Sequence, residues 1–435
     1  MKKIFLSVVG FSLICQHAFS QLKPDSSYIP KKSLYTPIEQ DSTGYNARRL
    51  HLDEINLVSS YYNQNGNHSA VTGGIGTEKV MDLSNGLDLK FVWTGDNNKK
   101  NTISAGLGFD YHSSASQAYV SATGASKTGG TRVYPSLDWT QEGKKGSFGI
   151  GTYLSSEYNY NSFGADIHFS RKVNNNNGEF SFKLLTYLDK VTLIYPSELV
   201  PKTTTVTSTG TVVVTTASGR VETSGGGSSG GESTSIPTSP RNTYTASMAY
   251  SQMLNSRLQV MFMVDGVAQS GYLGLPFHRV YFSTGKDTVE HLPSSRVKLP
   301  LGARLNYFLG DNIIIRSYYR YYMDDWGTKA NTANLEIAYK ITPFFSLSPF
   351  YRYYSQSAAK YFAPYEAHSP TDTYYTSNYE YAQFQSSFYG IGVRIAPPKG
   401  VFGMQHLHEL ELRYGHYSQT TDLVSDVISL SLGFK

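Results

Sequence analysis

The sequence predicts an all-β chain, a transmembrane antiparallel β-barrel of about sixteen strands with short periplasmic turns and long extracellular loops. Three observations predict it. The chain opens with an export signal, its composition is rich in tyrosine and glycine without a spanning helix, and its segments alternate in polarity at period two.

The export signal comes first. Lys2 and Lys3 form a basic start, the run from Ile4 to Cys15 is mostly apolar, and Ala18 and Ser20 supply the small residues a signal peptidase needs before Gln21. Residues 1–20 are therefore expected to be a signal peptide, cleaved after about Ser20. A lipoprotein signal would acylate Cys15, but it needs a small residue just before that cysteine, and Ile14 stands there. Cleavage also removes the single cysteine, which excludes a disulfide framework and a thiolate metal site. Loss of Lys2 and Lys3 lowers the net charge from +5 to +3, too near zero for a nucleic-acid binder.

Composition narrows the class. The chain holds 35 tyrosines and 39 glycines in 435 residues. After the signal no apolar run approaches the roughly 18–20 residues that a membrane helix needs. A secreted sandwich would share this composition, so the pattern along the chain has to decide.

Residues 21–51 are polar and broken by Pro24, Pro30 and Pro37, and read as a periplasmic lead or small plug. The barrel is expected over 52–435. In "NTISAGLGFDYH" the residues Ile103, Ala105, Leu107, Phe109 and Tyr111 share one face, and Ser104, Gly106, Gly108, Asp110 and His112 the other. The same alternation runs through Phe163, Ala165, Ile167 and Phe169, and through Ile428, Leu430, Leu432 and Phe434. Strands are expected near 52–63, 80–94, 101–112, 132–141, 145–158, 160–173, 178–190, 241–254, 257–270, 297–309, 312–323, 331–341, 344–356, 383–395, 404–417 and 424–434.

Even connections are short turns such as "QEGKK", "LNSR", "LGDN" and "PPKG". Most odd ones are long, including 64–79, 113–131, 271–296, 357–382 and the low-complexity outer loop 191–240. A sandwich has no reason to keep this asymmetry, whereas a barrel with both ends in the periplasm does. Fourteen strands is the alternative; it turns on 145–173, where the outer connection is very short. The end "ISLSLGFK" resembles the terminal strand that barrel-assembly machinery reads, although Lys435 follows the aromatic Phe434.

Candidate chemistry is sparse. "NHSAVTGGIGTE" lacks the lysine of a phosphate loop after Gly73, Gly74 and Gly76, and no helix follows to direct amides at an anion; Glu78 would repel one. The asparagines of "NQNGN" lack the carboxylates of a calcium loop. This stretch, with His68, Gly73, Gly74, Gly76 and Glu78, is expected to be an outer loop able to fold inward as a gate. In "YYRYYMDDWG" the alternation puts Ile313, Ile315, Tyr319 and Tyr321 on one face and Arg316, Tyr318, Arg320 and Tyr322 on the other. An arginine facing mid-membrane lipid costs about 2–4 kcal/mol, so the arginine face must be the lumen. By the same logic Arg352, Arg394, Arg413, Glu336, Glu409 and Glu411 line it. They are expected either to form a self-neutralising ladder that stiffens the wall or to make a constriction for anionic or aromatic solutes.

His406 and His408 stand two apart, as a zinc site on a strand would want, but Leu410, Leu412 and Tyr414 share that face, so both are expected beside lipid at the periplasmic interface. Asp324–Gly327 reads as a solvated turn with an aromatic anchor at the outer rim. No G-x-S-x-G elbow occurs, and the residues offer no placed Ser–His pair for a barrel phospholipase. No catalytic, cofactor-binding or metal residue is expected, and no enzyme.

Taken together, "YYNQNGNHSAVTGGIGTEKV" at 61–80, "QSGYLGLPFHRVYF" at 269–282, "YYRYYMDDWGTKANT" at 318–332 and "YRYYSQSAAKYF" at 351–362 resemble a family of outer-membrane proteins of the Bacteroidota called only a domain of unknown function. The resemblance implies a barrel with no reaction attached. It also implies, through genes near flavin-transfer and thioredoxin-like proteins, a redox-linked periplasmic partner.

The expected function is a channel or transporter for a small solute in the outer membrane of a Gram-negative bacterium. The alternative is a non-conducting scaffold for periplasmic or surface partners. Expected partners are outer-membrane lipid, lipopolysaccharide and the barrel-assembly machinery; no cofactor and no nucleic acid are expected.

Overall fold

The computed structural model describes residues 49–95, 98–113, 130–157, 159–196, 199, 203–206, 212–215, 221–224 and 237–435. The signal peptide and nearly all of the lead at 21–51 lie outside the described residues. Sixteen strands close into one antiparallel barrel. They are β1 (His51–Asn65), β2 (Val80–Thr94), β3 (Lys100–His112), β4 (Gly130–Gly143), β5 (Gly146–Glu157), β6 (Tyr160–Val173), β7 (Gly178–Thr192) and β8 (Thr238–Asn255). The second half runs through β9 (Leu258–Gly271), β10 (Ser295–Leu309), β11 (Ile313–Asp324), β12 (Lys329–Thr342), β13 (Phe345–Gln356), β14 (Phe384–Ile395), β15 (Leu407–Gln419) and β16 (Leu423–Phe434).

Every barrel strand pairs with its neighbour in sequence, and β1 pairs with β16 from Ile55 opposite Phe434 to Asn65 opposite Val424. Closure leaves the barrel no free edge, which is what a sheet in hydrocarbon requires. Strands of 12 to 18 residues exceed the roughly 9–11 that cross a bilayer at a tilt. Sixteen strands spaced by ~4.8 Å and tilted by ~40° give a backbone diameter of roughly 30 Å.

The expected alternation sorts the side chains by solvent. Leu107, Ile150, Ile167, Phe262, Tyr319 and Ile391 are exposed on the outside, while Asp110, Asp166 and Glu336 are buried on the inside. A soluble protein would place these sets the other way round, so the surrounding solvent at mid-strand is lipid. Toward the outer strand ends the outward face turns polar: the Tyr414 hydroxyl and the His416 ring both hydrogen-bond the Asp426 carboxylate at 2.7 and 2.9 Å. Amphipathic groups of this kind belong at headgroup depth.

The longest connections gather at one end. Residues 144–145, 174–177, 256–257, 310–312 and 343–344 close the end where the chain enters and leaves the barrel, and residues 66–79, 272–294 and 357–383 lie at the other, where the connection 193–237 is also rooted beside the short 325–328 and 420–422. Four expectations change. The fourteen-strand alternative fails, because β5 and β6 are separate strands paired from Gly146–Arg171 to Glu157–Tyr160. The turn around "PPKG" is longer than expected: a tight turn at Val401–Gly403, with Phe402 at φ 53°, delays β15 to Leu407. β7 and β8 run further than expected and shorten the low-complexity loop to 193–237. That loop carries a small antiparallel sheet of three strands, Thr203–Val206, Val212–Thr215 and Val221–Ser224, apart from the barrel.

Candidate functional site: the lumen and its outer cap

The expected Arg and Glu residues meet inside the barrel. Arg316 on β11 donates to Glu336 on β12 at 2.5 Å, and Arg413 on β15 donates to the other oxygen of Glu336 at 2.7 Å and to Glu411 at 2.9 Å. Arg394 holds Glu409 with two hydrogen bonds of 2.7 Å. Arg413 reaches Glu336 across β13 and β14 because β14 offers Gly390 and Gly392 there; a Cβ on Gly392 would stand 3.3 Å from Arg413 Cγ. The guanidinium also lies 5.1 Å from the Phe350 ring centre, and that of Arg352 lies 5.5 Å from Phe388. Arg320 takes an inward position on β11 between Gly302 and Thr332 of the neighbouring strands. Arg316, Glu336, Arg413, Glu411, Arg394 and Glu409 are thus joined in ion pairs. Arg352 joins an aromatic contact instead.

A second network, on β4 to β7, escaped sequence reading. Asp166 accepts from Tyr153 at 2.5 Å, the His168 ring bonds its other oxygen at 2.8 Å, and the Lys183 ammonium lies 3.1 Å away. Thr140 ties His168 to Asp138, at 2.9 and 3.0 Å. Register assembles it: Asp138, Gly151 and Asp166 stand side by side on three strands, and Thr140, Gly149, His168 and Lys183 on four. Alternation shows that these residues face inward, but not that they stand at one height. Asp138, Asp166 and His168 bring three potential ligand atoms within 4.8 Å. The Lys183 ammonium already supplies the cation there, so the network is closed by protein groups.

Large inward side chains lie along the wall. A Cβ on Gly108 would stand 2.0 Å from the Tyr134 ring, one on Gly164 2.5 Å from Tyr187, one on Gly149 2.2 Å from His168, and one on Gly415 2.5 Å from Phe388. Each ring therefore rests on an inward glycine of an adjacent strand, where any side chain would push it off. Tyr134 is held there by its hydroxyl, which donates to Asp110 at 2.7 Å. Gly108→Leu should drive Tyr134 toward the axis and break that bond. We expect overpacking to cost about 1–3 kcal/mol in thermal unfolding, together with a smaller unitary conductance; unchanged values for both would contradict the placement.

The outer mouth is spanned by loops. The junctions β1–β2 and β9–β10 are half a circumference apart in the strand order, and β13–β14 lies a quarter-turn from each. Yet Arg279 in the β9–β10 loop donates to the Val71 carbonyl of the first loop at 2.6 Å. His68 of the first loop stacks on Tyr379 of the β13–β14 loop, with ring centres 3.7 Å apart and planes 11° apart. Loops rooted on opposite walls can touch only by meeting over the opening. Between them the β9–β10 and β13–β14 loops are stitched by backbone bonds, Tyr375 N to His291 O at 2.8 Å and Ser283 N to His368 O at 2.9 Å. Val280 and Thr376 are fully buried there, and Glu290 accepts from Leu275 N at 2.9 Å and from Thr376 Oγ1 at 2.5 Å.

The glycine-rich run makes this fit possible. Gly73, Gly74 and Gly76 all have positive φ, at 80°, 88° and 83°. A Cβ on Gly73 would strike the Tyr281 ring at 2.6 Å, and one on Gly74 the Ser377 carbonyl at 2.6 Å. The His68 ring donates to Gly74 O at 3.0 Å, which ties the loop to itself. Glu78 sits at the root of the loop, its backbone N–H bonded to Gly66 O at 2.9 Å and its carbonyl to Gln64 at 3.1 Å. Burial, and then the charge of Glu380 on the β13–β14 loop, push its carboxyl up to about 7.

Two expectations about the ends are corrected. Asp324–Gly327 is solvated only at Asp325: the Asp324 side chain is fully buried, paired with Arg296 and bonded by Tyr322 at 2.7 Å and Thr328 N at 2.9 Å. Trp326 is buried beside it, its indole N–H donating to Ser295 O at 2.9 Å. His406 and His408 do not share a face beside lipid. The register slips between Leu407 and Glu409, and this bulge turns His408 inward, 2.9 Å from where a Cβ on the inward Gly433 would stand. His406 stays exposed outside the strand, its ring 3.4 Å from Lys435 O.

A family model described as a protein of unknown function, DUF3570, matches residues 39–426, which takes in the barrel from β1 through β15 and the start of β16. The chain belongs to the DUF3570 family. No curated protein matches this DUF3570 chain in sequence. Among solved structures it is similar to a loop L8 deletion mutant of OmpT, an outer membrane protein of Vibrio cholerae, at 9% identity, covering 89% of this chain and 100% of that one, with a TM-score of 0.43. It is also similar to the outer membrane protein OprD from Pseudomonas aeruginosa, at 10% identity over 88% of this chain and 94% of that one, with a TM-score of 0.40.

Proposed function

We propose that this chain is an outer-membrane channel for a small polar solute, exported through its N-terminal signal and inserted by the barrel-assembly machinery, with an outer cap that must part for conduction. The observation that carries the reading is the set of rings laid flat over inward glycines, Tyr134 on Gly108 above all. A barrel built only as a scaffold gains stability by filling its interior, whereas flattening bulky residues against the wall keeps the axis clear. On this reading the chain carries no reaction of its own. Full-length protein refolded into a planar bilayer should conduct; a correctly folded barrel that stays silent from pH 4.5 to 8 would sink the proposal.

The cap gives that conduction a pH dependence. With its carboxyl raised to about 7 in the closed cap, Glu78 is protonated there at pH values where the freely solvated group is ionised. Closure is therefore favoured most below about 4.5, the ordinary range of the group, and loses that advantage as pH rises through about 7. Open probability should rise across this window, and Glu78→Gln should flatten the response with the cap held closed. A wild-type response already flat between these values would remove Glu78 from the gate.

The second reading, a scaffold for a periplasmic partner, finds support in the Arg316–Glu336–Arg413 bridge, which stiffens the wall across five strands. A redox- or flavin-linked partner would belong to that reading. Native-membrane pull-down returning a stoichiometric partner with a silent barrel would favour it.

A further inference from the structure

We propose that the lumen selects small zwitterions, solutes with an ammonium group and a carboxylate a few bonds apart, because its two opposite walls carry opposite net charge. This rests on the channel reading above and names its class of solute.

Strand order places β2–β7 and β10–β15 on opposite sides of the closed barrel, their centres eight strands apart. The inward positions of β2–β7 hold nine carboxylates, Asp82, Asp88, Asp110, Asp138, Glu142, Glu157, Asp166, Glu179 and Asp189, against the five cations Lys90, Lys100, Arg132, Lys172 and Lys183. Those of β10–β15 hold nine cations, Arg296, Lys298, Arg304, Arg316, Arg320, Lys340, Arg352, Arg394 and Arg413, against the four carboxylates Asp324, Glu336, Glu409 and Glu411. With histidines neutral, one wall carries −4 and the other +5. Ion pairs within each wall, such as Asp166 with Lys183 or Glu336 with Arg413, do not alter these totals.

The opposition is present at mid-height, where a solute is furthest from bulk water. Near the strand midpoints Asp88, Asp138 and Asp166 of β2, β4 and β6 stand against Lys183 of β7, and Arg304, Arg320, Arg352 and Arg413 of β10, β11, β13 and β15 against Glu336 and Glu411, so each wall keeps its sign there. Walls of low dielectric concentrate the field between them. A uniform lumen charge would favour one sign of ion. Opposed walls instead favour a molecule that presents its ammonium to one side and its carboxylate to the other, and they order the lumen water that an uncharged solute has to displace. The flattened rings leave this field across the axis, since Tyr134, Tyr153 and Tyr187 lie along the acidic wall and Phe350 and Phe388 along the basic one.

The test uses full-length protein in liposomes at pH 8, where the cap is least favoured, and two isomers of one composition, β-alanine as the zwitterion and lactamide as the uncharged solute. After subtraction of protein-free liposomes, β-alanine should enter at least about threefold faster than lactamide. In planar bilayers under a KCl gradient, Arg320→Gln with Arg352→Gln should move the reversal potential toward potassium, and Asp88→Asn with Asp138→Asn toward chloride. Both pairs should lower the β-alanine preference, and heat-modifiable migration would establish that each variant is folded. Equal entry of the two isomers would overturn the zwitterion inference while leaving a channel; entry of neither would overturn the channel reading itself.

Discussion

Replacing Arg279 with alanine should raise the open probability of the barrel roughly thirtyfold. The guanidinium is buried and donates to the Val71 carbonyl of a loop rooted on the opposite wall, so it spans the mouth directly. A hydrogen bond from a charged group contributes about 2 kcal/mol, and 1.4 kcal/mol is a factor of ten in an equilibrium. Neither Arg279 nor Val71 belongs to a barrel strand. The variant should therefore keep its heat-modifiable migration and its unitary conductance while the closed dwell time shortens. If open probability is unchanged while the barrel conducts, the cap is not the gate.

The largest loss of stability is expected at Arg296. Its guanidinium pairs with the fully buried Asp324 carboxylate and lies 4.4 Å from the centre of the Trp326 ring. Arg296→Ala removes the ion-pair partner of that carboxylate, leaving Tyr322 and the Thr328 amide as donors and Lys298, opposite Asp324 in register, as the neighbouring cation. Removing one partner of a buried pair costs about 3–5 kcal/mol. This should show as a lower urea midpoint for detergent-refolded protein. Because the penalty is the stranded charge, adding Asp324→Asn to Arg296→Ala should recover part of the loss. A double variant no better than the single would place the cost in Trp326 packing instead.

Strand positions were legible in the sequence almost residue by residue, for a reason specific to this class. A barrel strand has lipid on one side and a polar lumen on the other, so each position is sorted by a strong free-energy difference, and period two is written without interruption from Ile103 to His112. The inward placement of Arg316, Arg413 and Glu336 followed from the same cost. The pattern failed where the backbone broke its own period. The bulge at Leu407–Glu409 reversed His408, and nothing in "HLHELE" marks it. It failed also at Asp324–Gly327, where "DDWG" has the composition of an exposed turn and its burial depends on Arg296, Tyr361 and Tyr381, distant in sequence.

The glycine run at 73–76 shows the same division. Its composition excluded a phosphate loop and pointed to tight turns, but its fit against Tyr281 and Ser377 depends on loops some two hundred and three hundred residues away. By itself, then, the sequence determined the class, the strand order and which face of each strand meets lipid, because those depend on local alternation and on the cost of charge in hydrocarbon. Only the tertiary structure decided which charges stand at one height, that opposite walls differ in sign, and that three loops close over the mouth. Those properties depend on register and closure, which bring together residues that no local period relates.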